Sequence, residues 1–391
     1  MKEIEYKFLF GSACLGLLLF GITLTTLGSI LPAVIARFEI SMTEAGFLFT
    51  LLNLGILAGS LIFGPIVDRF GYKKLLVICT LLILIGMEGV AFSPSFFLFS
   101  ISIMIFGFGG GIMNGAANAL VSDISDGDRS AKLALLGVFF GIGAFSVPLI
   151  LGALLNHFTY THIIATLGII VLLAVFVYLR LTFPEPKQPH SFPAKDALSL
   201  MKHPTLLLLA FILFFQSGME ITTGGWTATY FQDVLNVEAS TAVTLLSFFW
   251  IGMMMSRLAI SRILKWRAPA IIIKISMAIA MAGAFILLNT NNPVMATFSI
   301  FLLGAGFAAV FPLLLGYIGD LYPGMTGTAF SMAFTIALIG GMLLPYIAGV
   351  VGDLFGLRSS FMLIPASIIA TYILFVFALK RFTRYHPQIN P

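Results

Sequence analysis

The chain has 391 residues, 59% of them apolar and only 9% charged. A soluble domain carries about 25% charged residues, so this composition excludes a water-soluble enzyme or binding module and points to lipid as the main solvent. The net charge of +5 is no nucleic-acid signal, because it is confined to particular loops, and the two cysteines, Cys14 and Cys79, lie in apolar runs with no disulfide framework or zinc spacing.

In chain order, the unit to count is a run of about 20 apolar residues, enough to cross a bilayer as a helix. The first run, 8–36, lacks the short apolar core and small-residue cleavage site of a removable signal, so it reads as the first span. Eleven more follow, at 43–67, 74–92, 95–121, 133–156, 161–182, 205–231, 239–262, 269–288, 293–319, 327–352 and 359–380. Charged or Pro/Gly/Asn-rich turns separate them. Thr23, Thr25 and Thr26 interrupt span one. Pro32, Pro148, Pro312 and Pro345 predict bends in spans one, five, ten and eleven. The proline-rich stretch FPEPKQPHSFPAKDALSLMKHP, 183–204, falls after span six. The expected fold is an all-α polytopic membrane protein: a six-helix bundle at 1–182, a cytoplasmic linker at 183–204 and a second six-helix bundle at 205–391.

Of the 21 Lys and Arg, all but Arg37 and Arg358 fall in the termini, the linker or the even-to-odd loops. The positive-inside rule places those loops and both termini in the cytoplasm. The halves also repeat weakly. LGILAGSLIFGPIVD, 54–68, aligns with IGMMMSRLAISRILK, 251–265, so Gly55 faces Gly252 and Gly59 faces Ser256. Parallel six-span halves are one transporter architecture.

Between spans two and three lies GSLIFGPIVDRFGYKK, 59–74. Gly64 is expected to let helices approach closely and Gly71 to permit a tight turn. Asp68, beside Arg69, Lys73 and Lys74, is suited to a breakable cytoplasmic latch. This stretch resembles the signature of the major facilitator superfamily. The resemblance implies a twelve-helix, six-plus-six fold, two bundles rocking about a central site, and a monomer in the cell (inner) membrane. No GxxxxGK[ST] phosphate loop occurs, so an ion gradient rather than ATP is the expected drive.

The later spans supply the chemistry. Glu88, in span three, reads as interfacial or structural. Span four contains GFGGGIMNGAANAL, with Asn114 and Asn118 one turn apart on one face. Gly107, Gly111 and Gly115 form a small-residue ladder for close packing. His157 and His162 flank a short loop, and no metal cluster is expected.

Span seven carries FFQSGMEITTGGWTATYF, 214–231. At about 100° per residue, Glu220, Thr223, Thr227 and Tyr230 all fall within about 40° of Gln216, with Trp226 on the flank. An ionisable residue in hydrocarbon costs at least ~2.5–3.5 kcal/mol, so such a stripe should face protein or a water-filled cavity. Gly218, Gly224 and Gly225 are expected to loosen this helix. In span eight, Trp250 reads as bundle lining or ligand stack, and Arg257 as a cytoplasmic gate partner or a snorkelling cation.

Two carboxamides and a carboxylate with aromatic flanks suit a polyhydroxyl ligand. Hydroxyls want paired donors and acceptors, and a sugar's apolar face stacks on an indole. The candidate substrate-binding residues are therefore Asn114, Asn118, Gln216, Glu220, Thr223, Trp226, Thr227 and Tyr230. The candidate cytoplasmic gate is Gly64, Asp68, Arg69, Gly71 and Arg257.

SGMEITTGGWTATYF, NGAANAL and GAGFAAVFP (304–312) together resemble spans seven, four and ten of the fucose permease branch, the fucose/galactose/glucose:proton symporters. That likeness implies sugar transport with ion coupling. It also departs from the pattern: the branch's span-four glutamate falls on Asn114, and its span-one aspartate falls near Gly28 or Ser29. Glu220 then remains as the coupling candidate, with proton symport, sodium symport and uniport all open. No cofactor is expected beyond such an ion. The rival within the class is a drug:proton antiporter, which wants a large apolar cavity. The polar stripe, and the lack of a clean Gly-Pro motif in GIGAFSVPLILG of span five, argue against it. A solute-binding receptor lacks any attached signalling segment, and an enzyme lacks a nucleophile–base pair in the spans.

Overall fold

The computed structural model describes residues 3–125, 129–185, 203–322 and 325–385. Every regular element among them is helical: α1 (Glu3–Phe38), α2 (Met42–Phe92), α3 (Phe96–Ile124), α4 (Arg129–Leu154), α5 (Tyr160–Arg180), α6 (Pro204–Asp233), α7 (Ala239–Ile263), α8 (Pro269–Asn289), α9 (Pro293–Phe307), α10 (Val310–Leu321), α11 (Thr326–Phe355), α12 (Leu357–Ser360) and α13 (Leu363–Tyr385). The reason is the solvent. In hydrocarbon every backbone N–H and C=O must be paired inside the segment, and a helix does this locally.

Eleven helices among the described residues are long and apolar enough to span a membrane, against the twelve expected from sequence. The difference lies in α2. Its 51 residues would measure about 76 Å, more than twice the ~30 Å hydrocarbon core. The helix is interrupted at Gly71, whose φ of 79° and ψ of 167° are non-helical, so the turn predicted at the signature loop breaks one long element. Most of the 183–204 linker lies outside the described residues.

The chain divides into two units. Unit 1 holds Met1–Ile40, Leu48–Ser191 and Ala239–Thr244; unit 2 holds Ser41–Phe47, Phe192–Glu238 and Leu245–Pro391. Compared with the expected bundles, each unit takes in one short segment from the other half of the chain: the first turns of α2 go with unit 2, and the first turns of α7 with unit 1.

In unit 1, α1 packs on α3, α4 and α5. Its hydroxyl residues do not break it. Thr23, Thr25, Thr26 and Ser29 are buried, and each donates to the carbonyl four residues earlier, at 2.7 to 3.0 Å. The pairing keeps hydroxyls satisfied away from water. The glycine ladder of α3 lies on α2. A Cβ at Gly107 would strike the Leu52 carbonyl, one at Gly111 the Ile56 carbonyl, and one at Gly115 the Phe63 ring. From the α2 side, Gly55 and Gly59 lie against the carbonyls of Met104 and Phe108. A Cβ at Gly64 would meet nothing within 4 Å. The close-approach role expected of Gly64 therefore belongs to Gly59 and Gly55, about one and a half and two and a half turns further from the loop.

Unit 2 repeats this contact. Gly252 of α7 lies against the Phe301 carbonyl and Gly304 of α9 against the Phe249 carbonyl. Gly55 is related to Gly252, and Gly107 to Gly304, by one and the same offset, the offset of the sequence alignment. The weak repeat is thus a repeated helix-to-helix contact. Elsewhere in unit 2, α6 packs on α11 and α13, and α8 on α9. The α5 side chains Ile169, Leu173 and Phe176 are all exposed on one face, as expected of helices solvated by lipid tails.

Arg37 and Arg358, the two cations outside the charge pattern, are structural. In unit 1, Arg37 donates to the carbonyls of Ala91 and Ser93 at 3.2 and 2.6 Å and to the Tyr160 hydroxyl at 2.8 Å. Its guanidinium lies 4.9 Å from the Phe38 ring centre. In unit 2, Arg358 donates to the Thr290 carbonyl at 3.3 Å and to Asn291 Oδ1, and it hydrogen-bonds Tyr230. Each arginine satisfies carbonyls left open where one helix ends and the next begins. Arg37→Ala is expected to destabilise the protein by about 2–3 kcal/mol, since it strips a charged donor from several acceptors. Arg37→Lys should recover only part of this, because an ammonium lacks the planar fork. Thermal unfolding in mild detergent would read both.

Candidate functional site

The stripe of span seven lies on α6, in unit 2. Contrary to expectation, its glycines do not loosen it: α6 is one continuous helix from Pro204 to Asp233. Gly218 and Gly224 instead admit neighbours. A Cβ at Gly218 would lie 2.9 Å from the Gly340 carbonyl, and one at Gly224 3.3 Å from the Trp250 ring. Span ten carries a mild local perturbation, at Ala308 and Ala309, which keep helical φ and ψ. There α9 ends at Phe307 and α10 starts at Val310, inside the GAGFAAVFP stretch.

That junction has a partner on the stripe. Gln216 is buried, and its Nε2 donates to the Phe307 carbonyl at 3.0 Å. Gln216 also hydrogen-bonds Glu220, one turn along α6. The guanidinium of Arg257, from α7, acts electrostatically on the same carboxylate, and its Nε has no hydrogen-bond partner. Arg257, expected from sequence as a gate partner or a snorkelling cation, lies within electrostatic reach of Glu220 inside unit 2. One carboxylate, one carboxamide, one guanidinium and the Phe307 carbonyl thus form a polar group among apolar helices.

The remaining stripe residues fall into two kinds. Thr223 and Thr227 are fully buried; the Thr227 hydroxyl donates to the Thr223 carbonyl at 2.6 Å, while Thr223 Oγ1 has no partner. Trp226 and Tyr230 are enclosed. The Trp226 indole N–H donates to the Pro345 carbonyl at 3.1 Å. The Tyr230 hydroxyl donates to the Leu287 carbonyl at 3.2 Å, and its ring centre lies 4.6 Å from that of Phe361. These contacts give both aromatics a packing role inside unit 2. Trp250 is buried against Phe249, ring centres 5.0 Å apart.

In unit 1, Asn114 and Asn118 are half-buried and bonded to each other. Asn118 Nδ2 donates to the Asn114 carbonyl at 2.8 Å and to Asn114 Oδ1 at 3.0 Å. Asn114 keeps its own amide donors for other partners. At the signature loop, Tyr72 donates to Asp123 Oδ2 at 2.7 Å, tying the loop to the end of α3, and the Arg69 guanidinium lies over Phe70 at 5.2 Å. Asp68 is half-buried. Glu88 presents Oε1 to Gly168 of α5 without a hydrogen-bond partner. Among the described residues no cluster of His, Cys, Asp and Glu could hold a metal. The perturbation of span ten falls just ahead of Pro312, where a bend is expected from sequence, whereas the contact of Asp353 with the start of α2 is one that sequence reasoning misses.

The helical architecture, the lipid-facing surface and the paired glycine contacts define a polytopic membrane transporter built from repeated halves. The sequence matches the Major Facilitator Superfamily over residues 13–345, and the chain belongs to that family; it is a transporter and not an enzyme. Among curated relatives it is 22% identical to the uncharacterized MFS-type transporter YfkL of Bacillus subtilis (strain 168), over 86% of each chain. Among solved structures it resembles a D-xylose–proton symporter, with a TM-score of 0.79 and 16% identity over 94% of this chain and 96% of that one. It likewise resembles the nucleoside transporter NupG, with a TM-score of 0.81 and 16% identity over 96% and 99%. At these identities the structural likeness establishes the fold.

Proposed function

We propose that this protein is a secondary active transporter of the cell (inner) membrane, moving a sugar or similar small polyol by alternating access. Transport is coupled to protons or sodium through Glu220, as in the fucose permease-like branch that the motifs resemble. The observation that carries the proposal is the polar group of unit 2. Glu220 is held by Gln216, which in turn donates to the Phe307 carbonyl of the tenth span. A carboxylate placed there can hold and release a cation, and ion binding can alter the Gln216 contact with span ten. Gln216, Glu220, Thr223 and Thr227 on α6, and Asn114 and Asn118 on α3, supply the alternating donors and acceptors that hydroxyl groups require. The D-xylose–proton symporter and the nucleoside transporter both carry hydroxyl-rich solutes on this fold, which agrees with the reading. Gly64, Asp68, Arg69, Gly71 and Arg257 form the proposed cytoplasmic gate.

The test is uptake of labelled fucose, galactose and glucose by the purified protein in proteoliposomes, with a proton or sodium gradient imposed. Saturable, gradient-dependent accumulation of one of them is expected. If no monosaccharide or small polyol shows saturable uptake, the proposal is wrong.

A further inference from the structure

One carboxylate lies far from the stripe of α6 and next to lipid. Beyond the turn at Gly71, α2 shows an exposed apolar stripe of Ile78, Leu81, Ile85 and Phe92. At about 100° per residue, these four lie about 20–80° to one side of Glu88. Glu88 is half-buried and so sits at the edge of that stripe. The edge is the one beside α5. A Cβ at Gly168 of α5 would lie 2.5 Å from Glu88 Oε1 and 3.4 Å from Leu84 Cδ1. The missing side chain of Gly168 thus makes the notch that the carboxyl fills. Both helices belong to unit 1. On α5 the exposed face starts at the very next residue, Ile169, and runs on through Leu173 and Phe176.

The protein leaves this carboxyl without a donor. Oε1 is shut off from solvent and has no hydrogen-bond partner. No Lys or Arg follows Lys74 in α2, and the arginine of α5, Arg180, is its last residue, about 18 Å along the helix from Gly168. Arg37 of α1 reaches the end of α2, but its donors there go to the carbonyls of Ala91 and Ser93. A carboxylate that is partly desolvated and unpaired is costly. The side still open to a positive donor is the side that faces lipid.

Depth selects the donor. Glu88 lies seventeen residues beyond Gly71 and four before the helix ends at Phe92. Seventeen residues of helix measure about 26 Å against a hydrocarbon core of ~30 Å. The carboxyl is therefore just beneath the headgroup layer, at the membrane face opposite the signature loop. A primary ammonium brings a positive charge and three N–H donors, as a lysine head does. Choline brings the charge without an N–H, and a glycerol headgroup leaves its phosphate uncompensated. We infer that Glu88 and the Gly168 notch form a binding site for the ammonium headgroup of a phosphatidylethanolamine-type lipid. The ammonium meets the carboxyl from its open side and neutralises the charge that Oε1 carries into the notch. The acyl chains lie along Ile85 and Leu81 of α2 and Ile169 and Leu173 of α5. The inference is independent of the transported substrate.

The test is native mass spectrometry of the purified full chain, titrated in detergent with phosphatidylethanolamine, phosphatidylcholine and phosphatidylglycerol of identical acyl chains. The ethanolamine lipid is expected to bind about tenfold more tightly than the choline lipid, the scale of a hydrogen bond between charged groups. Glu88→Gln, which keeps the shape and loses the charge, should erase that difference. Equal binding of the three lipids, or a preference undiminished in Glu88→Gln, overturns the site. If Glu88→Gln fails to fold, Glu88→Asp takes its place: the carboxylate is drawn back by one methylene, the preference should shrink, and an undiminished preference again overturns the site. Infrared difference spectra of unmodified protein against the variant, in phosphatidylethanolamine vesicles, should contain the band of an ionised carboxylate. The band of a protonated carboxyl in its place would mean that a bare proton satisfies Glu88, and the lipid site falls.

Discussion

Glu220→Gln is expected to abolish gradient-driven accumulation while leaving counterflow, the exchange of labelled for unlabelled substrate, close to that of the unmodified protein. The substitution keeps the shape of the side chain and an oxygen for Gln216 to bond, so the Phe307 carbonyl keeps its partner and unit 2 keeps its fold. What it removes is the one group there that can bind and release a cation. Binding of a hydroxyl-rich solute needs donors and acceptors, which a carboxamide still offers. Concentrating that solute needs a group whose charge changes during the cycle, which a carboxamide lacks. The accumulation ratio should therefore fall to about one, the value without an energy source. Sustained accumulation would remove Glu220 from the coupling step and leave it a structural partner of Gln216 and Arg257.

Gly340→Val is expected to cost about 3 kcal/mol or more, at or above the upper end of ordinary overpacking, and to lower the yield of folded protein. A Cβ at Gly340 of α11 would strike the Phe214 carbonyl of α6, and in the reverse direction one at Gly218 would reach the Gly340 carbonyl. Both contacts are backbone on backbone, so no change of rotamer relieves them. The helices would have to move apart, and α6 would carry Gln216 away from the Phe307 carbonyl. Gly316→Ala is the control in the same unit. A Cβ there would meet nothing within 4 Å, and alanine should stabilise the helix by about 0.5–1 kcal/mol. Thermal unfolding of the two variants should move in opposite directions; a shared loss would mean that glycine content, rather than contact, sets the stability.

Much of this fold was legible because lipid simplifies the code. Runs of apolar residues mark helices, and the Gly107–Gly111–Gly115 spacing marks a close contact with a definite neighbour. The periodicity of α6 correctly grouped Gln216 with Glu220, since their separation is a property of the helix alone. What periodicity lacks is the environment of each residue. Trp226 and Tyr230 share the flank or face of that stripe, yet their polar atoms meet the carbonyls of Pro345 and Leu287, which sequence distance conceals. The action of Arg257 on Glu220 is hidden for a related reason. A long side chain reaches well beyond its own Cα, so a position near a helix end does not decide which way its charge goes. Gly64 was overvalued and Gly55 undervalued because a glycine shows where approach is permitted, not where it occurs. Asp353 bonds residues some three hundred positions earlier in the chain, and nothing local announces that.

The two arginine contacts bear on the order in which the protein comes together as it is made. Arg37 enters the membrane with the first helix, but Tyr160 arrives only at the start of α5. Arg358 arrives after its acceptors at Thr290 and Asn291 and after Tyr230. Neither contact can form until nearly all of its unit has emerged from the ribosome. Early helices must therefore wait in lipid, loosely associated, with their junction carbonyls open. Each unit then has a late fastening step, and nascent chains stopped short of residue 357 should remain more accessible to quality-control proteases than chains a few residues longer.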